Sequence, residues 1–254
     1  MNVHPSGKTA TPNSSSSTVC DLWRWPTDLF GLRERFLSAP HYPHLVVDDV
    51  FPREALLRLY ADVPVEFSPL WTHWGSGGQE NCSPENSKRG ISSLMLLSER
   101  ISGFLKLLND ERFLQDIREI TGEPNLTADH TLNGGGLHCT GPGGHLRIHA
   151  DKVRHPRPSS FDQSVNLLLY INPYWSAEFG GDFELWSRDC SERIASIAVL
   201  FNRLVLFKSD RSTYHGHPEP IRCPVGMYRT SLAVYYYVPR NTPFISADNE
   251  VDYK

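Results

Sequence analysis

The stretch whose reading decides the fold is residues 141–156, GPGGHLRIHADKVRHP. Within it, HLRIHA (145–150) reads as a short strand, and His149 and Asp151 lie two residues apart at its end. That spacing points both side chains to one face of a strand, so both can address one metal ion from the same side. A third ligand is needed, and His215 in SDRSTYHGHPEP (209–220) is the candidate. A lone His-x-Asp triplet arises by chance in many strands; the ordered set carries the weight.

Two histidines and one carboxylate on one face leave the opposite positions of a metal open, the arrangement of non-haem Fe(II) oxygenases. Arg229, in YRTSLAVYYYV (228–238), can grip a co-substrate carboxylate as a fork, and Ser231 shares its strand face. The set of His-x-Asp, a distal His and Arg-x-Ser resembles the Fe(II)/2-oxoglutarate-dependent dioxygenases. GGDFELW (180–186) and TSLAVYYYV (230–238) resemble the prolyl-4-hydroxylase-like bacterial branch. The resemblance spans about residues 130–240. It implies a double-stranded β-helix, or jelly-roll, with the metal at its mouth. It implies His149, Asp151 and His215 as iron ligands and Arg229 and Ser231 at the distal carboxylate of 2-oxoglutarate. Fe(II), 2-oxoglutarate and O2 would be the cofactors, with ascorbate as a stimulant. The expected reaction is hydroxylation, with desaturation or epoxidation as variants. Halogenation is not expected, because Asp151 stands where halogenating relatives carry a small residue. Prolyl hydroxylases typically anchor the oxo-acid with Lys, and Arg229 departs from that pattern.

Several neighbours compete for roles. By alternation His145, Arg147, His149 and Asp151 share one strand face, so His145 is a rival ligand. The family spacing favours His149, which leaves His145 and Arg147 to line the pocket or its rim. His217 shares the face of His215 and is expected on the substrate side. Asn166 and Tyr170 lie on one face of VNLLLYIN (165–172) and are expected to reach the oxo-acid end. Lys152, Arg154, His155 and Arg157 form a basic run that is either a solvated loop or a dock for an anionic substrate. Trp71, Trp74, Lys88 and Arg89 fall in a long loop that either covers the entrance or packs as a lid edge. Arg154 and Trp74 join His145, Arg147 and His217 as substrate-side candidates. The alternation in GGDFELW admits either parity. Asn133-Gly-Gly-Gly136 lacks the phosphate-loop patterns and reads as a close backbone approach at a strand start.

The chain has 254 residues and a formal net charge of −4, so global attraction to nucleic acid is not expected. Five scattered cysteines without a CxxC pair point to free thiols in a reducing compartment. There is no apolar signal-peptide core and no run long enough to span a bilayer, so a cytoplasmic location and no membrane partner are expected. Residues 1–18 read as a disordered tail. Residues 19–254 read as one dioxygenase domain, with 19–128 as helical and lid support and 129–240 as the jelly-roll core. The fold class is mainly β with flanking helices.

Upstream, residues 20–40 carry one or two short helices, and residues 44–50 a strand. A helix opens at Pro52 with Asp48 or Asp49 as its cap and Ala55, Leu56, Leu59 and Val63 as its stripe. Residues 64–92 read as a long loop. One helix runs from a Ser98 cap through Leu108, with Ile101, Phe104, Leu105 and Leu108 on one face. Another runs from about Asp110 to Thr121, buries Phe113, Ile117 and Ile120, and stops at Gly122. From 130 onward, LNGGGLHCT, HLRIHA, VNLLLYIN, GDFELW, IASIAVLF, RLVLFK and TSLAVYYYV alternate with turn residues, as in a sandwich or barrel. The expected substrate is a small amino-acid-like or anionic metabolite, as in natural-product chemistry. A protein prolyl residue ranks second and a non-catalytic jelly-roll binding protein third. The intact ligand set argues against the third.

Overall fold

The computed structural model describes residues 22–74, 88–152, 154–156, 160–240 and 251–254. The expected tail, Cys20, Cys82, Arg157 and the side chain of Trp74 lie outside the described residues. No described helix is long and apolar enough to cross a membrane. Cys139, Cys190 and Cys223 are free thiols.

The first helix, α1 (Leu29–Leu37), starts where Asp28 accepts the amide of Gly31, and it buries Leu32 and Phe36 one turn apart. Strand β1 (His44–Asp48) and helix α2 (Arg53–Ala61) follow. Neither Asp48 nor Asp49 caps α2: its N-cap is Pro52, with no side-chain bond. Asp48 is instead gripped by Arg203, with both bonds at 2.7 Å. Residues 64–92, expected as loop, contribute the hairpin strands β2 (Thr72–Trp74) and β3 (Lys88–Ile91). These strands are too short to show an alternation, and pairing with the next strand supplies their order. Helices α3 (Glu99–Leu108) and α4 (Glu111–Thr121) begin at Ser98 and Asp110 and bury the expected faces, except that Phe104 is only half-buried. Gly122 ends α4 at φ 72°, a left-handed conformation in which glycine carries no steric penalty.

The remaining strands are β4 (Thr127–Ala128), β5 (Gly136–Thr140), β6 (Leu146–Ala150), β7 (Phe161–Tyr170), β8 (Phe183–Trp186), β9 (Arg193–Ile197), β10 (Arg203–Lys208), β11 (Tyr214–His217), β12 (Arg229–Pro239) and β13 (Asp252–Tyr253). They form two antiparallel sheets. The larger, eight-stranded sheet runs β1-β10-β7-β12-β5-β3-β2, with β4 also on β12. The smaller, five-stranded sheet runs β13-β6-β11-β8-β9. Together they make a jelly-roll core.

The larger sheet is apolar on both faces. Val165, Leu167, Leu169, Leu204, Leu206, Leu232, Val234 and Tyr236 pack with the helices in one cluster. Burying each such side chain is worth about 1.5–3 kcal/mol. The Tyr236 hydroxyl also donates to the carbonyl of Leu108 at the end of α3, at 2.6 Å. The alternate residues Tyr170, Val205 and Phe207 face inward onto Phe183, Leu185 and Ile197 of the smaller sheet. That settles the parity of GGDFELW: Phe183 and Leu185 point in, while Glu184 meets Arg193 at 2.8 Å. At Gly136 (φ 106°) a Cβ would lie 2.2 Å from the Ile91 carbonyl, so the close backbone approach is that of β3 on β5.

Candidate metal and co-substrate site

His149 on β6 and His215 on β11 are direct partners across the smaller sheet. Each Nδ1 bonds a backbone carbonyl, that of Arg147 for His149 (2.9 Å) and that of Thr213 for His215 (3.1 Å). A carbonyl only accepts, so each Nδ1 carries the hydrogen and each Nε2 keeps its lone pair. The two Nε2 atoms converge on Asp151, 3.3 Å and 3.7 Å from its two oxygens. One donor atom from each residue lies within 4.8 Å of the other two, so the three surround a space for one cation. The donor set fits a divalent transition metal.

Electrostatics prepare the same state. Burial opposes ionisation of Asp151, but the adjacent His215 and His149 rings and the Asn166 amide outweigh it and hold the carboxyl well below the usual carboxylate range. Burial, reinforced by His149 against the opposing Asp151, pushes His215 down to about 4, so its imidazole is neutral at neutral pH. Asn166 and Gln163 both donate to Oδ2 of Asp151, at 2.8 Å and 3.0 Å. They fix the carboxylate from behind.

A bulge in the pairing of β11 with β6 decides which neighbours join the site. His215 opposes His149, but His217 opposes Leu146, so two steps on one strand face three on the other. Gly216 allows it, because a Cβ there would lie 2.7 Å from the Leu146 carbonyl. The expected alternation from His145 to Asp151 therefore breaks. Leu146 lines the cavity with His217, in place of His145 or Arg147. Arg147 is exposed, its guanidinium 4.7 Å above the ring of Tyr253. His145 is half-buried, ahead of β6, with its Nδ1 unpartnered among the described residues.

Arg229 opens β12 and lines the same cavity with Ser231. Its Nε donates to the Gly181 carbonyl (2.6 Å) and a terminal nitrogen to the Tyr170 hydroxyl (2.7 Å). Glycine at 181 (φ 77°) matters here, since a Cβ would crowd the Arg229 side chain at 3.1 Å. Tyr170 thus aims Arg229, and Asn166 aims Asp151 from the cavity wall.

The cavity measures about 440 Å³ and draws its walls from both sheets and from Val251 and Tyr253 near the C-terminus. Lys88, Asp151, Lys152 and Arg229 are its charged described residues. Burial pushes Lys88 down to about 8, against the pull of Asp151 and with the push of Arg229. Burial together with Lys88 and Arg229 holds His138 and His217 far below the ordinary histidine value, so both are neutral.

The described residues of the basic run, Lys152, Arg154 and His155, are not a solvated loop. Arg154 is buried, bridges backbone to Asp162 and lies off the cavity wall. His155 meets Asp129 at 3.3 Å, and Lys152 reaches the wall. Sequence reasoning missed Gln163, His138, Tyr235 and Tyr253, and it named Lys88 only as part of a loop edge. Gln163 gave no signal: three positions before Asn166 it falls on the opposite face by strand alternation, and the register shift between β7 and β12 brings both amides to Asp151. Tyr253 gave no signal, because its place follows from the pairing of β13 with β6.

Residues 135–237 match the profile described as the 2OG-Fe(II) oxygenase superfamily. The matched stretch runs from the start of β5 to near the end of β12. It contains all the convergent residues above except Lys88, Val251 and Tyr253. Among curated proteins no sequence match was found. Among solved structures, the fold is similar to that of a Pseudomonas putida prolyl-4-hydroxylase (15% identity, 84% of this chain and 100% of that one, TM-score 0.50). It is similar to HygX from Streptomyces hygroscopicus, solved with nickel and 2-oxoglutarate bound (14% identity, 82% and 87% covered, TM-score 0.52). A third is a Trichoplax adhaerens prolyl hydroxylase in complex with a hypoxia inducible factor peptide fragment (15% identity, 83% and 90% covered, TM-score 0.50).

Proposed function

We propose that the protein is an Fe(II)- and 2-oxoglutarate-dependent dioxygenase that hydroxylates an unactivated C–H bond of a small molecule. The observation that carries this reading is the convergence of two imidazole Nε2 atoms and one ionised carboxylate in the cavity that Arg229 also lines. His149, Asp151 and His215 hold the metal. Arg229, aimed by Tyr170 and Gly181, takes the distal carboxylate of 2-oxoglutarate as a fork, and Ser231 adds a hydroxyl.

Fe(II), with 2-oxoglutarate as co-substrate and O2 as oxidant, supplies the oxidising chemistry: substrate C–H becomes C–OH while the oxo-acid leaves as succinate and CO2. The residues of the chain do the rest. Asn166 and Gln163 keep Asp151 in one orientation, and the backbone carbonyls of Arg147 and Thr213 keep both imidazoles in the metal-binding tautomer. Leu168, Phe183 and Phe207 supply an apolar wall that limits water.

A cavity of about 440 Å³ lies in the range of metabolite pockets, which favours a small substrate over a protein prolyl residue. The test is anaerobic. Fe(II) and then 2-oxoglutarate are added to the apoprotein, and the weak visible charge-transfer band of the chelated pair is sought. The band should form in the wild type and vanish in His149→Ala and Arg229→Ala. A well-folded wild type without a band would leave a non-catalytic jelly-roll binding protein as the better reading. Succinate release on adding metabolites, but not proline-containing peptides, would support the small-molecule assignment.

A further inference from the structure

We infer that strand β13 is the substrate-selecting wall of the cavity, with Tyr253 the residue that meets an uncharged, apolar group of the primary substrate beside the metal set. This rests on the reading above and names a substrate class for that site, a small molecule with an aliphatic or aromatic side.

Strand order separates the two guests. Across the smaller sheet the strands run β13, β6, β11, β8. His149 and His215 stand on β6 and β11, Asp151 directly follows β6, and Gly181, just ahead of β8, accepts from Arg229. A co-substrate that reaches from the metal set to Arg229 therefore lies toward β8. On the other flank β13 pairs with β6, and Tyr253 is directly opposite His149. Directly opposed residues project to one face of a sheet, so Tyr253 shares the cavity face of His149. The two ring centroids lie 5.3 Å apart, and both Val251 and Tyr253 line the cavity.

The alternation of β13 is locked from outside. Asp252, opposite Ala150, points to the outer side, where the Tyr214 hydroxyl donates to one of its oxygens and the Lys254 ammonium to the other at 3.0 Å. The Lys254 amide also donates to the Ile148 carbonyl at 2.9 Å. A one-residue slip would turn Asp252 inward beside His149 and break these bonds. The wall that β13 presents is thus a valine and a tyrosine, with its carboxylate kept outside. A charged group set against that wall loses hydration and gains no partner from it, whereas an apolar group buries area against the ring. Strand β13 lies outside residues 135–237, so this wall comes from a segment beyond the matched profile.

The experiment uses the full chain with Fe(II) and 2-oxoglutarate. Small metabolites are screened in matched pairs, one member with an aliphatic or aromatic group and the other with a charged group in its place (leucine beside glutamate, phenylalanine beside lysine, and the corresponding hydroxy acids). Succinate release and O2 uptake are the readouts. At least one apolar member should be turned over, with a kcat/KM at least about tenfold above that of its charged partner. Tyr253→Ala should raise the KM of that substrate by about tenfold or more, and Tyr253→Phe, which keeps the ring, should stay within about threefold. Val251→Trp, read independently, should shift the preference toward smaller members of the panel. In all three variants the concentrations of Fe(II) and 2-oxoglutarate that give half the charge-transfer band should move by less than about threefold. Equal turnover of the two members of each pair, or preference for the charged one, would overturn the inference. So would a Tyr253→Ala variant that loses Fe(II) while its substrate KM holds, which would make the ring a brace for His149. A wild type that forms the band but accepts no apolar member would overturn it as well. A wild type that forms no band overturns the cofactor reading itself, a distinct failure.

Discussion

The two sheets of the barrel are built for different tasks. The larger one is covered twice, by the helices outside and by the smaller sheet inside, and its long strands β7 and β12 carry apolar runs from Leu167 to Tyr170 and from Leu232 to Val238. The smaller one has strands of two to five residues and, on its outer side, a small cluster of Ile148, Ala150 and Tyr214. Yet the smaller sheet carries His149 and His215, and Asp151 directly follows its strand β6. The larger sheet carries Lys88, Arg229 and the amides that hold Asp151. Stability and metal binding thus sit on opposite walls, and the cavity lies between them.

The sharpest way to break this division is to remove a ligand. His149→Ala or His215→Ala should abolish turnover and iron binding while circular dichroism and the thermal midpoint of the apoprotein stay near wild type. A collapse of the fold would mean that the smaller sheet depends on its own histidines for structure. The converse variant is Leu206→Ala, at a fully buried position between β10 and the helices. It should lower stability by about 2–5 kcal/mol in chemical denaturation and leave the affinity for 2-oxoglutarate intact in the folded fraction.

Arg229→Lys keeps the charge and loses the fork, so the concentration of 2-oxoglutarate giving half the charge-transfer band should rise about ten- to a hundredfold. Acid should act on the cavity before it acts on the helix-packed core. His138, His215 and His217 are neutral when folded and take up protons below about 6.5 when unfolded. The unfolded chain then binds more protons, so apoprotein stability is full above that pH and falls as the pH drops toward about 4. The slope approaches about 1.4 kcal/mol per pH unit for each group, measured by denaturation across buffers. A flat profile from pH 7 to 5 would contradict it. Smallest of all, Asn166→Ala should weaken iron binding about tenfold by freeing Asp151, with little change in the 2-oxoglutarate requirement at saturating metal.

The alternation that marks strands was legible wherever one element met one environment. The apolar parity of β7, β10 and β12 and the Ser98 and Gly122 helix ends can be read from spacing, because strand and helix periods depend on local backbone geometry, whereas the choice of His149 and His215 over His145 and His217 came from the resemblance. The short strand β11, with only four residues, was hidden behind its own turn residues.

Three features depended on the tertiary structure. The bulge between β6 and β11 put Leu146, in place of His145 or Arg147, on the cavity wall, and a bulge is a property of two strands, not of either one. Asn166 and Tyr170 were on the expected face, but what they touch, Asp151 and Arg229, was set by how the two sheets close on each other. Lys88 and Tyr253, far apart in the chain, became neighbours of the metal set only because β3 and β13 joined the edges of opposite sheets. Sequence alone determined which residues could bind a metal and a carboxylate, since that chemistry belongs to the side chains themselves. Tertiary structure decided which of them share a cavity, because register and sheet closure arise only when distant strands pair.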